Sequence, residues 1–427
     1  MSPILNLPRE LSQQIIGQLP FLDKVRLSAT CKEYRAYLIP EIFATIRFTS
    51  KEKSANAALV AVKAHGEHTT CIDFTCKAYD DERSISPLPS AAAEVLAGHH
   101  MPNLHATRLD FDFDFSTYDD CWDVDIEILA QSVEDPRHTR AVELLNWRAK
   151  ENESWQALSM NQHITALTVD HFNPATEFAF DSGEALNFLG RLESATLSIR
   201  EMVEEEDLCD YNDDCIPLAY LDFFRSDLYS RVLQHMHNLK HLEICAPDLC
   251  PTGVDSQYHI GVGLSPRSLP ALQSLKLVNG VISEELLSFI RHHARSLTSL
   301  NIEKCVASTD YDDAGCMSWA KFFNQVYETD PVLVQLIVGG IKLPWIAMDD
   351  VSYYYDLHEA RIIQEARRQL ESQPSLKVFG YSYIYDYHVF SREYRQCAIE
   401  FRAGHDQRAY ERLMGLVNTN AARVRDN

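Results

Sequence analysis

The chain holds many residues able to do chemistry, but their spacing assembles no reaction centre. His235, His237 and His241 lie close together, and His99, His100 and His105 flank a Met101-Pro102-Asn103 turn. Clustered histidines can hold zinc, yet the first group runs from a helix end into the segment LKHLEI, where exposed polar positions are expected. The run Asp110 to Asp114, DFDFD, has the carboxylates of a calcium loop without its glycine or terminal glutamate. Phe111, Phe113 and Phe115 alternate with those aspartates, so strand pleating puts aromatics on one side and carboxylates on the other. The 11 cysteines form no CxxC pair. Their closest spacings, Cys71/Cys76, Cys209/Cys215 and Cys245/Cys250, are too loose for a zinc ribbon, and the odd count reads as reduced, buried thiols. GxGxxG, Walker, GxSxG and HExxH motifs are all missing, and only 15 glycines are present. The sequence therefore assigns no catalytic residue, no metal and no cofactor. An enzyme would need a site built from scattered Asp, His and Cys that no motif reveals.

The elements that carry these residues belong to a folded, acidic chain of 427 residues, 46% hydrophobic and 24% charged. That length fits two or three domains or one elongated array. No run approaches the roughly 18 apolar residues of a membrane span, and MSPILNLPRE does not read as a secretory signal. A soluble chain, cytoplasmic and/or nuclear, is the expectation. The net charge is −23 and unevenly placed: residues 1–50 carry +2, residues 361–427 carry +3, and the middle carries −28. Such a field repels nucleic acid and anionic lipid and attracts basic partners.

Beyond residue 50 a short pattern recurs, an apolar residue, two others, then alternating apolar residues. It appears as Thr69-x-x-Ile72-x-Phe74, Leu104-x-x-Thr107-x-Leu109, Thr139-x-x-Val142-x-Leu144, Ile164-x-x-Leu167-x-Val169 and Leu192-x-x-Ala195-x-Leu197. Cleaner copies are LKHLEI, LQSLKL and LTSLNI, and weaker ones sit at Leu333-x-x-Leu336-x-Val338 and Leu376-x-x-Phe379-x-Tyr381. Each predicts a short strand. Amphipathic helices lie between copies, one after the cap residue Ser283, one after Ser318. Intervals between copies run from 25 to 47 residues. Two acidic inserts interrupt the series: residues 109–135, with ten acids, and 201–215, with eight. Toward the end, Leu357 to Leu370 fits a helix, and VFGYSYIYDYHVF reads as a strand with Tyr381, Tyr383, Tyr385 and Tyr387 on one face, an aromatic closing cap or a ligand surface.

At the N-terminus, Leu11, Ile15, Ile16 and Leu19 recur at helical spacing before Pro20. Asp23 can cap a second helix, around CKEYRAY and its neighbours, and a third is predicted from Glu41 to Ile46. Leu7-Pro8-x-Glu10-Leu11, Ile15/Ile16, Leu19, Asp23, Val25-x-Leu27 and Thr30-Cys31-Lys32 resemble the F-box motif, over about residues 3–48. Tyr34 stands where many F-boxes place tryptophan. The repeats look like the degenerate leucine-rich solenoids that often follow an F-box, with a doubly wound α/β domain as the structural alternative. The expected organisation is therefore α/β, with an F-box at 1–48, an irregular leucine-rich solenoid at 49–390 and a helical, aromatic C-terminal cap at 391–427.

The resemblance implies a substrate-recognition subunit of a Skp–cullin–F-box ubiquitin ligase. Leu7, Pro8, Leu11, Ile15 and Leu19 would touch the Skp-type adaptor, and through it a cullin. In the repeat strands, the residue between the paired apolar positions points to the concave face. Those positions include Asp73, Arg108, Asp110, Glu143, Thr168, Thr196, Glu243, Lys276, Asn301 and Ile337, with Asp112 and Glu303 at the next outward places. Asp73, Asp110, Asp112, Glu143, Glu243 and Glu303 are the candidate substrate-binding residues, expected to favour a basic protein segment. A scaffold that uses the F-box-like helices as a cap, outside any ligase, is the second reading.

Overall fold

The computed structural model describes residues 9–77, 87–112, 138–172, 178–200, 223–247, 254–255, 258–259, 263–308, 317–343, 357–384 and 390–426. Three helices open it: α1 (Arg9–Gly17), α2 (Phe21–Ser28) and α3 (Lys32–Ile42). Pro20, rather than Asp23, stands before α2; Asp23 lies in its first turn and pairs with Arg26 at 2.9 Å. The helix expected at Glu41–Ile46 is instead the end of α3 followed by strand β1 (Thr45–Thr49). Thr45, Ile46, Phe48 and Thr49 are β-branched or aromatic, which suits a pleated surface better than a helix.

From β1 onward the chain alternates strands and helices. The succession is α4 (Glu52–His65), β2 (Cys71–Lys77), α5 (Ser90–Leu96), β3 (Ala106–Asp112), α6 (His138–Ser159), β4 (Ala166–Phe172), α7 (Gly183–Arg191) and β5 (Ser194–Ile199). A π-helix (Phe223–Val232) leads to β6 (His241–Cys245). Then come β7 (Ser274–Val278), α8 (Glu284–His292), β8 (Ser299–Glu303), β9 (Val306–Ser308), α9 (Trp319–Glu328) and β10 (Gln335–Val338). The chain closes with α10 (Leu357–Ser372), β11 (Gly380–Ile384), β12 (Phe390–Arg392), α11 (Tyr394–Ala403) and α12 (His405–Asp426).

Nine strands, β1 to β8 and then β10, form one parallel sheet in chain order. The order never reverses, so the sheet has no topological switch point of the doubly wound kind. A repeated junction sets the register. The carbonyls of Ala44, Thr70, His105, Thr165, Glu193, Lys240, Gln273 and Thr298 each accept two successive N–H groups from the start of the next strand. Ahead of these junctions, Leu104, Leu192, Leu239, Leu272, Leu297 and Leu333 are buried, so the first leucine of the pattern closes the turn and the later ones enter the sheet. Alternate strand residues, among them Phe48, Phe74, Leu109, Val169, Leu197, Ile244, Leu277, Ile302 and Val338, are buried in one continuous core with apolar faces of the helices. This layer of helices explains the irregular intervals: α5 has 7 residues and α6 has 22.

Two expected strands differ from the structure. Thr139–Leu144 lies in α6, because Ala141, Leu144, Trp147, Trp155 and Leu158 bury at helical spacing and the segment is rich in Ala, Leu and Glu. Glu143 is therefore a helix residue and has no place on the sheet. VFGYSYIYDYHVF forms two antiparallel strands, β11 and β12, instead of one; β11 also pairs in parallel with β9 in a separate three-stranded sheet. Tyr385 and Tyr387 lie outside the described residues, as do most of residues 109–135 and all of 201–215.

Candidate interaction surfaces

The N-terminal helices are built around little core. Leu38 and Ile16 are buried, while Leu11, Ile15, Phe21, Leu22 and Val25 are exposed. Leu11 and Ile15 stand one turn apart on α1, and Leu19 is half-buried in the turn before α2. Leu7 and Pro8 lie outside the described residues. Cys31 caps α3, its sulfur accepting the Tyr34 N–H at 3.5 Å. The Tyr34 ring is half-buried, and its hydroxyl is buried without a partner among the described residues. Lys24 pairs with Glu41 to tie α2 to α3. The Thr69 hydroxyl donates to the Phe43 carbonyl at 2.9 Å, and the Phe43 ring stacks on His65 with centroids 4.1 Å apart, so α3 is joined firmly to the sheet.

The second surface is the polar side of the sheet. Strand register aligns Arg47, Asp73, Arg108, Thr168, Thr196, Glu243, Lys276, Asn301 and Ile337 in one row, a residue from each strand. Asp110 and Asp170 face each other in the next row, and Lys77 faces Asp112 beyond it. The five sheet carboxylates singled out from the sequence each meet a basic side chain. Asp73 pairs with Arg47 at 3.0 Å, Asp110 with His171 at 2.8 Å and Asp112 with Lys77 at 2.6 Å. Lys276 lies 2.8 Å from Glu243 and 3.7 Å from Glu303. Arg108 pairs with Asp170. The described strand positions on this side thus hold four Lys or Arg against six Asp or Glu, so the face is a ladder of ion pairs rather than a bare acidic surface.

The electrostatics follow the ladder. The Lys77 hydrogen bond holds the Asp112 carboxyl below its ordinary range, and the Glu243 hydrogen bond raises the Lys276 ammonium. Burial, then the Glu243 charge, pushes the Cys245 thiol up to about 11, which keeps it protonated and a poor nucleophile. Cys71 is likewise raised by burial, and Cys305, fully enclosed, is pushed up to about 12.

Sequence reasoning missed Arg47, Lys77, Asp170 and His171. Asp170 sits two residues beyond the recognised outward position Thr168 and Lys77 four beyond Asp73, so extending the alternation would have found them. Arg47 lies just past the helix expected at Glu41–Ile46, in a stretch where no strand was expected. His171 has no sequence signal: a bulge in β4 between Val169 and Phe172, with His171 at φ +53°, brings Asp170 and His171 successively to the polar side while Phe172 stays buried.

The histidine groups divide among different tasks. His100 pairs with Glu94 at 2.9 Å, and the His235 ring lies 3.2 Å from the Ser230 carbonyl. Among the described residues no group of three His, Cys, Asp or Glu could hold a metal ion. No described helix is long and apolar enough to cross a membrane.

A comparison with curated proteins returns no match. The family model for the F-box domain matches residues 4–38, which take in α1, α2 and the first two turns of α3. An F-box is a non-catalytic module that supports a general role as a Skp- and cullin-binding adaptor, and residues 4–38 of this chain are an F-box domain.

Proposed function

We propose that the protein is the substrate-recognition subunit of a Skp–cullin–F-box ubiquitin ligase, its sheet being the face of a degenerate leucine-rich solenoid. The carrying observation is the exposed apolar set on the F-box helices. Leu11, Ile15, Phe21, Leu22 and Val25 lie at the surface of a unit in which, among the described residues, the fully buried apolar side chains are Ile16 and Leu38. Full burial of such side chains is worth about 1.5–3 kcal/mol each, so an adaptor that covers them gains substantial binding free energy. Leu7 and Pro8 join this set by the motif resemblance. The unreversed parallel sheet, helices on one side and polar residues on the other, supports the solenoid reading, since solenoids present extended binding faces. Asp73, Asp110, Asp112, Glu243 and Glu303 belong to that proposed substrate face. The mechanism is proximity: a substrate held on the sheet is kept near a ubiquitin-charged enzyme bound elsewhere in the assembly.

Co-purification with a Skp-type adaptor tests this, with a Leu7→Ala/Pro8→Ala variant alongside. Capture by the wild type and loss in a folded variant is the expected result. A folded wild type that captures no adaptor overturns it and leaves the scaffold reading.

A further inference from the structure

The ion-pair ladder is not uniform from one end of the sheet to the other, and the difference specifies a partner. Over β1 to β3 the guanidinium groups stand outermost. Arg47 is 70% exposed above an Asp73 at 25%, and Arg108 is 58% exposed above an Asp170 at 22%. These carboxylates serve as bases for the arginines and are themselves largely covered. Acids and bases are equal in number there, Asp73, Asp110 and Asp112 against Arg47, Lys77 and Arg108, whereas over β6 to β8 acids are in excess, because one ammonium, Lys276, is shared by Glu243 and Glu303. Among the described strand residues on this side, that end holds two carboxylates to one ammonium. Between the two, the row passes through Thr168 on β4 and Thr196 on β5, flanked by Ala166, Ser194 and Ser198, all small and uncharged, and by Asp170, with which Arg108 pairs.

We infer that this face binds an extended segment of a partner protein that crosses the strands with an acidic side chain over Arg108 and a basic side chain over Glu243. The inference rests on the reading of the sheet as the substrate surface and names the substrate's chemistry. Three strand spacings of roughly 4.8 Å separate β3 from β6, about 14 Å. An extended chain covers that distance in about four residues at roughly 3.4 Å each, and residues four apart point to the same side of it. The recognised element is therefore an acid and a base four residues apart, with small or neutral residues between them over Thr168 and Thr196. A purely basic segment fits worse, since it sets like charge against Arg47 and Arg108, and like charges suppress the wrong partner.

A display library of random twelve-residue peptides, selected on the full chain, tests the assignment. The expected outcome is enrichment of sequences with an acid and a base at a separation of four. Arg108→Glu should shift the selected acid to a base, and Glu243→Lys should shift the selected base to an acid. A peptide selected on the wild type should bind each reversed variant at least tenfold more weakly and recover when its own matching charge is reversed. Arg108→Gln, a milder change at an exposed site, should weaken binding without reversing preference, and circular dichroism checks that each variant is folded. Enrichment of uniformly basic peptides, no enrichment, or a charge pattern unmoved by the variants each overturns the inference. So does sedimentation as a dimer that these variants dissociate, which would make a second copy the occupant. Adaptor capture reads the other half of the molecule, so a chain that captures adaptor but selects no paired-charge peptide refutes this inference alone.

Discussion

The Tyr381 hydroxyl donates to Oδ2 of Asp406 at 2.9 Å, joining the small sheet to the last helix through a carboxylate that is almost fully buried. The other oxygen, Oδ1, accepts the Ala320 N–H at 2.8 Å, and the Trp319 N–H reaches the Tyr381 oxygen at 3.3 Å. With Ser318 taking the Lys321 N–H at 3.2 Å, all three leading amides of α9 are satisfied, two of them by residues from later in the chain. Around this point Trp319, Phe323, Phe379 and Tyr410 pack ring on ring, and Ala409, Leu413 and Val417 bury the inner side of α12.

Burial pushes the Asp406 carboxyl up to about 6, against the lowering effect of its two hydrogen bonds. Because the folded-state value lies above the unfolded one, the native chain holds this proton longer. Stability contributed by the protonated group is present at low pH and is lost as pH rises from about 4 to about 6. The difference amounts to about 3 kcal/mol. Asp406→Asn keeps an acceptor for Ala320 and carries no charge, so its stability relative to wild type should rise across that interval. Urea unfolding of both proteins between pH 4.5 and 7 measures it, and parallel pH profiles would refute the assignment.

Ile15 and Ile16 are neighbours with opposite roles, 50% and 4% exposed respectively. Ile15→Asp should leave thermal unfolding nearly unchanged while weakening capture of a Skp-type adaptor at least tenfold. Ile16→Ala should destabilise by about 2–3 kcal/mol. If both variants lost adaptor only in proportion to unfolding, Ile15 would have no docking role.

Tyr34 offers a stabilising change. Its buried hydroxyl lacks a partner among the described residues, and such a group costs about 1–3 kcal/mol. Tyr34→Phe should therefore raise the stability of the F-box helices by roughly 1 kcal/mol. A denaturant midpoint at or below that of the wild type would show that the hydroxyl is satisfied in solution.

Ser283 and Ser318 each accept an amide hydrogen bond at 3.2 Å from the third residue of the helix that follows. Alanine at either position should cost about 1 kcal/mol, and the two losses should add, since each serves a different helix. Chemical denaturation of the single and double variants gives the comparison.

Lys276→Met removes the ammonium shared by Glu243 and Glu303 and leaves two carboxylates on one side of the sheet. The pairs are partly exposed, so the loss should be about 1 kcal/mol or less at low ionic strength and should shrink in 1 M salt. A loss independent of salt would assign Lys276 a packing role instead.

Local pattern alone made much of the fold legible. The period-two alternation in LKHLEI, LQSLKL and LTSLNI marked β6, β7 and β8, and serine followed by apolar residues at helical spacing marked α8 and α9. These signals are read within one element, where side-chain direction follows directly from backbone geometry. The first F-box helix was legible for the same reason, but the second, expected from Asp23 through CKEYRAY to Leu38, is two helices, α2 and α3, and the third, expected at Glu41–Ile46, gives way to β1. The reading failed where a short window fitted two periods, as at Thr139–Leu144, whose alternation is also consistent with the helix that tertiary burial selected.

Where a strand alternates regularly, the sequence by itself determined which residues turn outward, and so placed Asp73, Asp110, Asp112, Glu243 and Glu303 on one side of the sheet. Only the tertiary structure decided what those carboxylates meet. Arg47 and Asp73 are 26 residues apart, and His171 and Asp110 are 61 apart. Their contacts depend on strand register and, for His171, on a bulge. Register is set by the core beneath and by the paired amides at each strand's start, which no single segment encodes. A face that reads as acidic from composition is for that reason a ladder of paired charges in the folded chain.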